Sequence, residues 1–183
     1  MGRSVVTGSC LCLYKLKKIG ILSDTHSCWD DRYAMHFAGC DEIWHAGDVG
    51  DDDTLRRLRG IGPEVRAVCG NIDSGLVRRL CPELMTFSIE DVKVLMTHIG
   101  GYPGRWAPGM RRLLIAERPQ LVVCGHSHIL RVMYDKELNL LHINPGAAGT
   151  HGWQRERTLV RLTIDGAQMR DLEVIELGKA CVR

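Results

Sequence analysis

The chain has no long hydrophobic run. No segment approaches the roughly 18 consecutive apolar residues that a membrane-spanning helix needs, and the N-terminus lacks the apolar stretch of a secretory signal. The sequence therefore predicts no membrane partner, and a cytoplasmic location with reduced thiols is the default expectation. Eight cysteines are present, but they are dispersed and several lie within apolar runs. We interpret them as small buried side chains rather than as a disulfide framework.

The sequence also lacks a block of one charge. Its 24 basic and 22 acidic residues give a formal charge of +2 and are scattered along the chain. Proteins that bind nucleic acid commonly cluster positive charge on one face, so no stable nucleic-acid partner is expected here. Hydrophobic residues at 45% and charged residues at 25% are ordinary values for a folded globular protein.

No repeat, Pro-rich linker or low-complexity segment interrupts the chain beyond residue 16. At 183 residues the chain is long enough for one domain of the usual size and too short for two. We therefore predict a single domain over 17–179. Residues 1–16 show neither a helical nor a strand period, and we expect a poorly ordered leader there. The sequence leaves the oligomeric state open, a homo-oligomer included.

Five short apolar runs, each followed by polar or glycine-rich residues, are predicted to be buried strands. They read KKIGILSD, DEIWHAGD, EVRAVCGN, DVKVLMTH and QLVVCGH. Segments with helical character lie between several of them, at 30–38, 51–59 and 108–117. After Ile129 the pattern changes to strands and tight turns, which predicts a second, mainly antiparallel sheet. The expected fold class is α/β, a two-sheet β-sandwich flanked by helices.

Each of the five apolar runs ends in side chains that can bind a metal ion. Because the carboxyl ends of strands in an α/β sheet meet at one edge, we expect these side chains to converge there. Any one of them alone has a structural explanation, such as a helix cap or a hydrogen-bonded core histidine. Together they would crowd polar groups at one point unless a cation paired them. The predicted ligands are Asp24, His26, Asp48, Asn71, His98, His126 and His128.

The types of ligand indicate the kind of metal. Imidazole and carboxylate ligands suit Mn, Fe, Ni, Co or Zn, and the absence of thiolates disfavours a structural zinc site. Calcium prefers cages built entirely of oxygen ligands. Seven ligands exceed the needs of one tetrahedral ion and suit two ions that share a carboxylate and leave positions open for water and a phosphate ester. The sequence therefore predicts two divalent ions, with Mn first and Ni, Fe, Zn, Co and Mg as alternatives.

The ligands belong to five motifs whose order resembles that of the calcineurin-like metallophosphoesterases, and most of all the small bacterial YfcE-type phosphodiesterases. The motifs are Asp24-Thr25-His26, Gly47-Asp48, Gly70-Asn71, His98 and Gly125-His126-Ser127-His128. The resemblance extends over about 18–177. It implies the fold of that family and a metal-dependent hydrolase in which hydroxide generated at the ions attacks a small phosphate ester, most simply a phosphodiester.

The resemblance also implies a role for each ligand. The first ion would be held by Asp24, His26 and His128. The second ion would be held by Asn71, His98 and His126. Asp48 would bridge the two ions. The residues expected to take the most direct part in catalysis are Asp48, Asn71 and His98.

The chain departs from the family at the residue that follows the motif Asn. Many members carry a His there, thought to protonate the leaving oxygen, whereas this chain has Ile72. Without that imidazole a poor leaving group would lose general-acid help of roughly 10²–10⁴-fold, so activated esters are favoured. His45 is a candidate for orienting a ligand, and Arg105 for contacting the substrate phosphate. Both residues also have a purely structural explanation, His45 as a histidine at the end of a strand and Arg105 as an exposed loop residue.

Other functions fit the same sequence. The chain could be a non-catalytic scaffold or binding module, as is the retromer subunit that resembles these enzymes, although seven competent ligand positions favour an enzyme. The ions could also serve a phosphomonoesterase or a nucleotide pyrophosphatase. Substrate choice depends on loop shape, and the loops of this chain carry no decisive pattern.

Overall fold

The computed structural model describes residues 16–152 and 154–179. The expected leader at 1–16 lies outside the described residues, apart from Leu16. The strands are β1 Lys17–Leu22, β2 Glu42–His45, β3 Glu64–Ala67, β4 Leu84–Ile89, β5 Val92–Thr97, β6 Gly101–Tyr102, β7 Arg105–Trp106, β8 Leu121–Val123, β9 Leu130–Asp135, β10 Leu140–Pro145, β11 Glu156–Asp165 and β12 Gln168–Lys179. The helices are α1 Arg32–Phe37, α2 Asp52–Gly60, α3 Gly75–Leu80 and α4 Met110–Glu117.

Ten of these strands form two five-stranded sheets. The first has the order β12-β11-β1-β2-β3, and the second has the order β4-β5-β8-β10-β9. In the first sheet β1, β2 and β3 are parallel, whereas β11 and β12 are antiparallel. In the second sheet β5, β8 and β10 are parallel between antiparallel edge strands β4 and β9. The structure confirms the predicted α/β class, a two-sheet sandwich flanked by helices.

The strands are distributed between the two sheets differently from the prediction. The sequence predicts a separate, mainly antiparallel sheet from the strands after Ile129, and this prediction is wrong. Strands β9 and β10 complete the second sheet, while β11 pairs with β1 of the first, with Leu162 opposite Ile19. Alternating apolar residues identify a strand, but the partner of that strand is selected by contacts far away in the chain. Both sheets are therefore mixed.

The core between the sheets is built from aliphatic side chains and one tryptophan. Ile19, Ile21 and Trp44 of the first sheet are fully buried against Val94 and Met96 of the second. Close-packed strands of this kind hold their ends in place. The loops that follow β1, β2 and β5 therefore leave from a rigid base.

The three predicted helices are confirmed as α1, α2 and α4, with slightly different bounds. Helix α2 begins after Asp51, whose side chain accepts a hydrogen bond from the Thr54 N–H at 2.9 Å and so caps the helix. Helix α3 is not predicted by the sequence. In the part of the chain that the structure describes, no helix is long and apolar enough to span a membrane.

The helices cover the outer faces of the two sheets. Phe37 of α1 lies directly on Gly20 of β1, where an added Cβ would come within 2.4 Å of the ring. On the other side Met110 and Leu114 of α4 pack with Leu95 of the second sheet. A glycine in β1 therefore permits the close approach of α1 to the first sheet.

Candidate metal centre

The predicted ligands lie in five loops at one edge of the molecule. These loops follow β1, β2 and β3, which are parallel to one another in the first sheet, and β5 and β8, which are parallel to each other in the second. Five of the ligands have a left-handed backbone, which is uncommon outside glycine and is concentrated at functional sites. Their φ angles are 53° for Asp24, 47° for His26, 53° for Asp48, 68° for His126 and 58° for His128.

Six of the seven side chains form two clusters, in each of which the donor atoms lie within 4.8 Å of one another. The first cluster consists of Asp24, His26 and His128. The second cluster consists of Asp48, His98 and His126. Asp48 lies between them, because its Oδ2 is 3.7 Å from His26 Nε2 and 3.3 Å from His98 Nε2. One carboxylate can therefore serve both clusters.

Asn71, the seventh predicted ligand, lies beside the second cluster. It lines a small pocket together with His98. The backbone on both sides of it approaches Asp48: the Ile72 N–H donates to Asp48 Oδ1 at 3.1 Å, and a Cβ at Gly70 would lie 2.0 Å from that same oxygen. Only glycine permits so close an approach before the asparagine. The amide side chain of Asn71 can therefore reach the region of Asp48 and His98.

Hydrogen-bond acceptors next to two of the histidines fix the tautomers of their rings. His98 donates from Nδ1 to the Ala46 carbonyl at 2.8 Å, and His128 donates from Nδ1 to Gln154 Oε1 at 3.0 Å. Gln154 is itself oriented, because its amide nitrogen donates to the carbonyls of Gly149 and His151. Both imidazoles therefore present an Nε2 lone pair to the clusters, as metal-binding histidines do.

Two atoms of the site need a partner that the protein does not supply. In the described part of the chain only three buried side-chain N or O atoms lack a hydrogen bond, and two of them are Asp24 Oδ1 and His98 Nε2. They lie 3.9 Å apart. The other Asp24 oxygen accepts hydrogen bonds from Ser23 Oγ at 2.6 Å and from the His126 N–H at 3.2 Å. Unpaired buried polar atoms are costly, so these side chains are suited to divalent cations.

The carboxylates change the pKa values of the neighbouring histidines. Burial lowers the pKa of His98, but Asp48 and Asp24 outweigh it, and the pKa is raised above its ordinary value. Asp24 also raises the pKa of His128. Burial raises the pKa of Asp48, but the facing histidines and the Ile72 N–H lower it to a greater extent. Burial outweighs the carboxylates at His26, whose pKa is lowered. His98 and His128 are therefore the histidines at which the site favours positive charge, from a proton or from a metal ion.

His45 connects two ligand loops without touching a ligand side chain. Its Nδ1 accepts a hydrogen bond from the Gly47 N–H at 3.2 Å, so Nε2 carries the proton and donates to Thr25 Oγ1 at 2.9 Å. Thr25 in turn donates to the Val49 carbonyl at 2.9 Å. Burial lowers the pKa of His45 to about 4, so the ring stays neutral at physiological pH. These contacts give it a positioning role and exclude it as a proton donor.

Asp73 performs a similar function for the loops after β2 and β3. It is buried, and its carboxylate accepts hydrogen bonds from the N–H groups of Val49 at 3.1 Å, Gly50 at 2.7 Å and Gly70 at 2.8 Å. It therefore holds the segment after Asp48 against the segment before Asn71. Asp73 is not among the predicted site residues. An aspartate two residues after the motif asparagine is the signal in the sequence that points to it.

Further residues around the site are not among the predicted site residues. Asn144 in β10 donates to the Gly125 carbonyl at 2.7 Å and to Ser127 Oγ at 3.1 Å, which supports the loop of the last two ligands. Gln154 orients His128, as described above. The exposed ring of His151 lies 4.8 Å from that of His26, centroid to centroid. The last two residues lie in an irregular segment whose sequence has no recognisable pattern.

Arg105 and Ile72 have different places around the site. Arg105 is exposed in β7 and lines a pocket that also contains His126, but it belongs to neither cluster. Ile72 is 45% exposed, and its N–H contacts Asp48. In many enzymes of this type a histidine occupies the position of Ile72. In this chain that position lies at the site but carries no ionisable group.

The comparisons with known proteins agree with this geometry. A family model described as the calcineurin-like phosphoesterase superfamily domain matches residues 18–167. No curated protein sequence matches the chain significantly.

Several solved structures share the fold. A Thermotoga maritima protein solved in solution is 26% identical, with a TM-score of 0.66 over 88% of this chain and 99% of that chain. A structure described as a novel archaeal phosphodiesterase is 20% identical, with a TM-score of 0.65 over 86% of this chain and 99% of that chain. Vps29 from Entamoeba histolytica complexed with Zn²⁺ is 15% identical, with a TM-score of 0.69 over 88% of this chain and 98% of that chain. At 20% and 15% identity, the similarity to the archaeal phosphodiesterase and to Vps29 shows a shared fold.

Proposed function

The chain belongs to the calcineurin-like phosphoesterase superfamily, and we propose that it is a two-metal phosphodiesterase. The observation that carries the proposal is the position of Asp48, whose Oδ2 lies between His26 of one cluster and His98 of the other. Enzymes that use two ions about 3.5–4 Å apart clamp a phosphate between them. A single carboxylate shared by two clusters is the arrangement that such a pair requires.

The proposed ligands follow the two clusters. The first ion is assigned to Asp24, His26 and His128. The second ion is assigned to Asn71, His98 and His126, with Asp48 common to both. Manganese is the preferred metal, because imidazole and carboxylate donors without thiolates suit Mn²⁺ and its neighbours in the transition series. When bound, the ions act as Lewis acids toward the phosphate and lower the pKa of water.

The surrounding residues hold these ligands in place for the reaction. Ala46 and Gln154 keep the Nδ1 protons of His98 and His128, so that Nε2 remains available as a ligand. His45 and Asp73 join the loops that carry the aspartates and the asparagine. Preorganised ligands of this kind remain in position while charge develops on the phosphate.

The absence of a proton donor at Ile72 affects which esters are good substrates. Its side chain cannot donate a proton to the leaving oxygen, and His45 is buried and neutral. A leaving group that is stable as an anion needs no such proton. We therefore expect activated phosphodiesters to be better substrates than simple alkyl esters.

A scaffold on the same fold is the second candidate, and the likeness of the fold to Vps29 favours it. The two complete clusters and the unpaired Asp24 and His98 atoms support the enzyme more strongly. A scaffold has no need for buried polar atoms without partners.

A hydrolysis assay distinguishes these candidates. Metal-stripped protein is assayed with bis-p-nitrophenyl phosphate and p-nitrophenyl phosphate after addition of Mn²⁺, Mg²⁺, Ni²⁺ or Zn²⁺. We expect a transition metal to restore hydrolysis, with the diester preferred. Asp48→Ala should abolish turnover, whereas Asp91→Ala, which removes an exposed carboxylate, should not. Preference for the monoester would indicate a phosphomonoesterase, and no turnover with any metal would favour the scaffold.

A further inference from the structure

A second pocket opens next to the second cluster. It has a volume of about 310 Å³, and its wall includes His126, Tyr102, Arg105, Trp106 and Arg131. This volume is at the lower end of the roughly 300–1,000 Å³ of ligand pockets, so it suits part of a substrate better than a whole one. Because His126 belongs to the wall, a group bound in the pocket can be continuous with a phosphate at the metal centre.

The positive charge of this pocket comes from two arginines. No carboxylate is part of its wall. Among the described residues, neither Arg105 nor Arg131 lies within ion-pair distance of a carboxylate. His142, also in the wall, is buried, which lowers its pKa to about 4 and leaves it neutral. Two guanidinium groups without counterions make the pocket attractive to an anion.

Tyr102 lies next to both arginines. The Arg131 guanidinium lies over its ring at 3.7 Å from the centroid. Arg105 is opposite Tyr102 in the β6–β7 hairpin. Arg131 and Arg105 both lower the pKa of the Tyr102 hydroxyl, as expected when two cations approach it. A guanidinium group already held against a ring, as that of Arg131 is, loses less conformational freedom when an anion binds.

We propose that this pocket binds a second phosphate group of the substrate. The natural ester would then carry two phosphates, one hydrolysed at the metal centre and one held by Arg105 and Arg131. Phosphate oxygens match the fork of a guanidinium and accept paired, charge-assisted hydrogen bonds. This inference rests on the proposed function and narrows its substrate class to phosphodiesters that carry a second, separate phosphate group.

Kinetics with two matched substrates test the second-phosphate pocket. Thymidine 5′-(p-nitrophenyl phosphate) and its 3′-phosphorylated form both release p-nitrophenol and differ in one phosphate. With Mn²⁺ added, we expect the 3′-phosphorylated ester to have a KM roughly 10- to 100-fold lower, the effect of one or two charged hydrogen bonds. The double variant Arg105→Gln and Arg131→Gln should lose this difference between the two esters.

Arg112→Gln is the matched control, because Arg112 is exposed on α4 and is not part of the pocket. Equal KM values for the two thymidine esters in the unaltered protein, with bis-p-nitrophenyl phosphate hydrolysed, would overturn the second-phosphate pocket and leave the phosphodiesterase proposal intact. If no ester is hydrolysed, calorimetric titration of the metal-free protein with inorganic phosphate decides. Binding weakened in the double variant but not in Arg112→Gln supports the pocket, and unchanged binding refutes it.

Discussion

At the scale of single residues, the proposed metal ligands could be selected from the sequence because each one lies just after a buried apolar run. Asp24 and His98 were identified in this way, and the structure places them 3.9 Å apart, although they are 74 positions apart in sequence. The residues that orient the ligands could not be predicted. Gln154 contacts His128 from an irregular segment 26 residues away. A hydrogen bond between two loops leaves no periodic signal in the sequence.

Gln154 provides a test of how much such orientation matters. Gln154→Ala removes the acceptor of the His128 Nδ1 proton, so the ring can rotate or change its tautomer. Loss of such a partner commonly lowers metal affinity, and we expect Mn²⁺ to bind roughly 10- to 100-fold more weakly.

Isothermal titration of the metal-free protein with Mn²⁺ measures the effect of Gln154→Ala. Gln168→Ala, at an exposed position in β12, is the matched control and should bind Mn²⁺ as the original protein does. Equal affinities for the two variants would show that Gln154 has no part in positioning His128.

At the scale of elements, apolar runs and capping residues were sufficient to predict β1, β2, β3, β5 and β8 and three of the four helices in the described residues. The assignment of strands to sheets was not predictable, because β11 lies beside β1 through pairs such as Ile19 and Leu162 that are far apart in the chain. The hairpin of β6 and β7 was also missed, since strands of two residues are too short to show alternation.

The connection between the loops after β2 and β3 depends on Asp73. Asp73→Asn replaces one carboxylate oxygen with an NH₂ group that faces backbone N–H donors. A buried donor left without its acceptor costs about 1–3 kcal/mol, and we expect the free energy of unfolding to fall by that amount.

Urea denaturation of the metal-free proteins measures the change caused by Asp73→Asn. Asp91→Asn alters an exposed carboxylate and should unfold at the same urea concentration as the original protein. An Asp73→Asn variant as stable as this control would contradict the role of Asp73 as a connection between the two loops.

At the scale of the whole molecule, the two sheets meet at the edge where both clusters lie. Loops from the first sheet carry Asp24 and Asp48, and loops from the second carry His98 and His126. Cations bound by residues of both sheets therefore link the two halves of the sandwich. Metal binding should for this reason stabilise the entire fold.

Thermal unfolding tests this link between the sheets. At a Mn²⁺ concentration of 100 times Kd, each ion adds about 2.7 kcal/mol, so two ions should raise the Tm of a domain of this size by roughly 10–20 °C. Scanning calorimetry with Mn²⁺ and with a chelator gives the shift. Asp48→Ala should show a much smaller one. Equal shifts in the two proteins would mean that the metal acts elsewhere.

The most direct test of the two-metal centre is anomalous X-ray diffraction from crystals of the protein grown with Mn²⁺. We expect two anomalous peaks, one against Asp24, His26 and His128 and the other against Asn71, His98 and His126, with the Asp48 carboxylate between them. A single peak, or peaks away from both clusters, would contradict a two-metal centre.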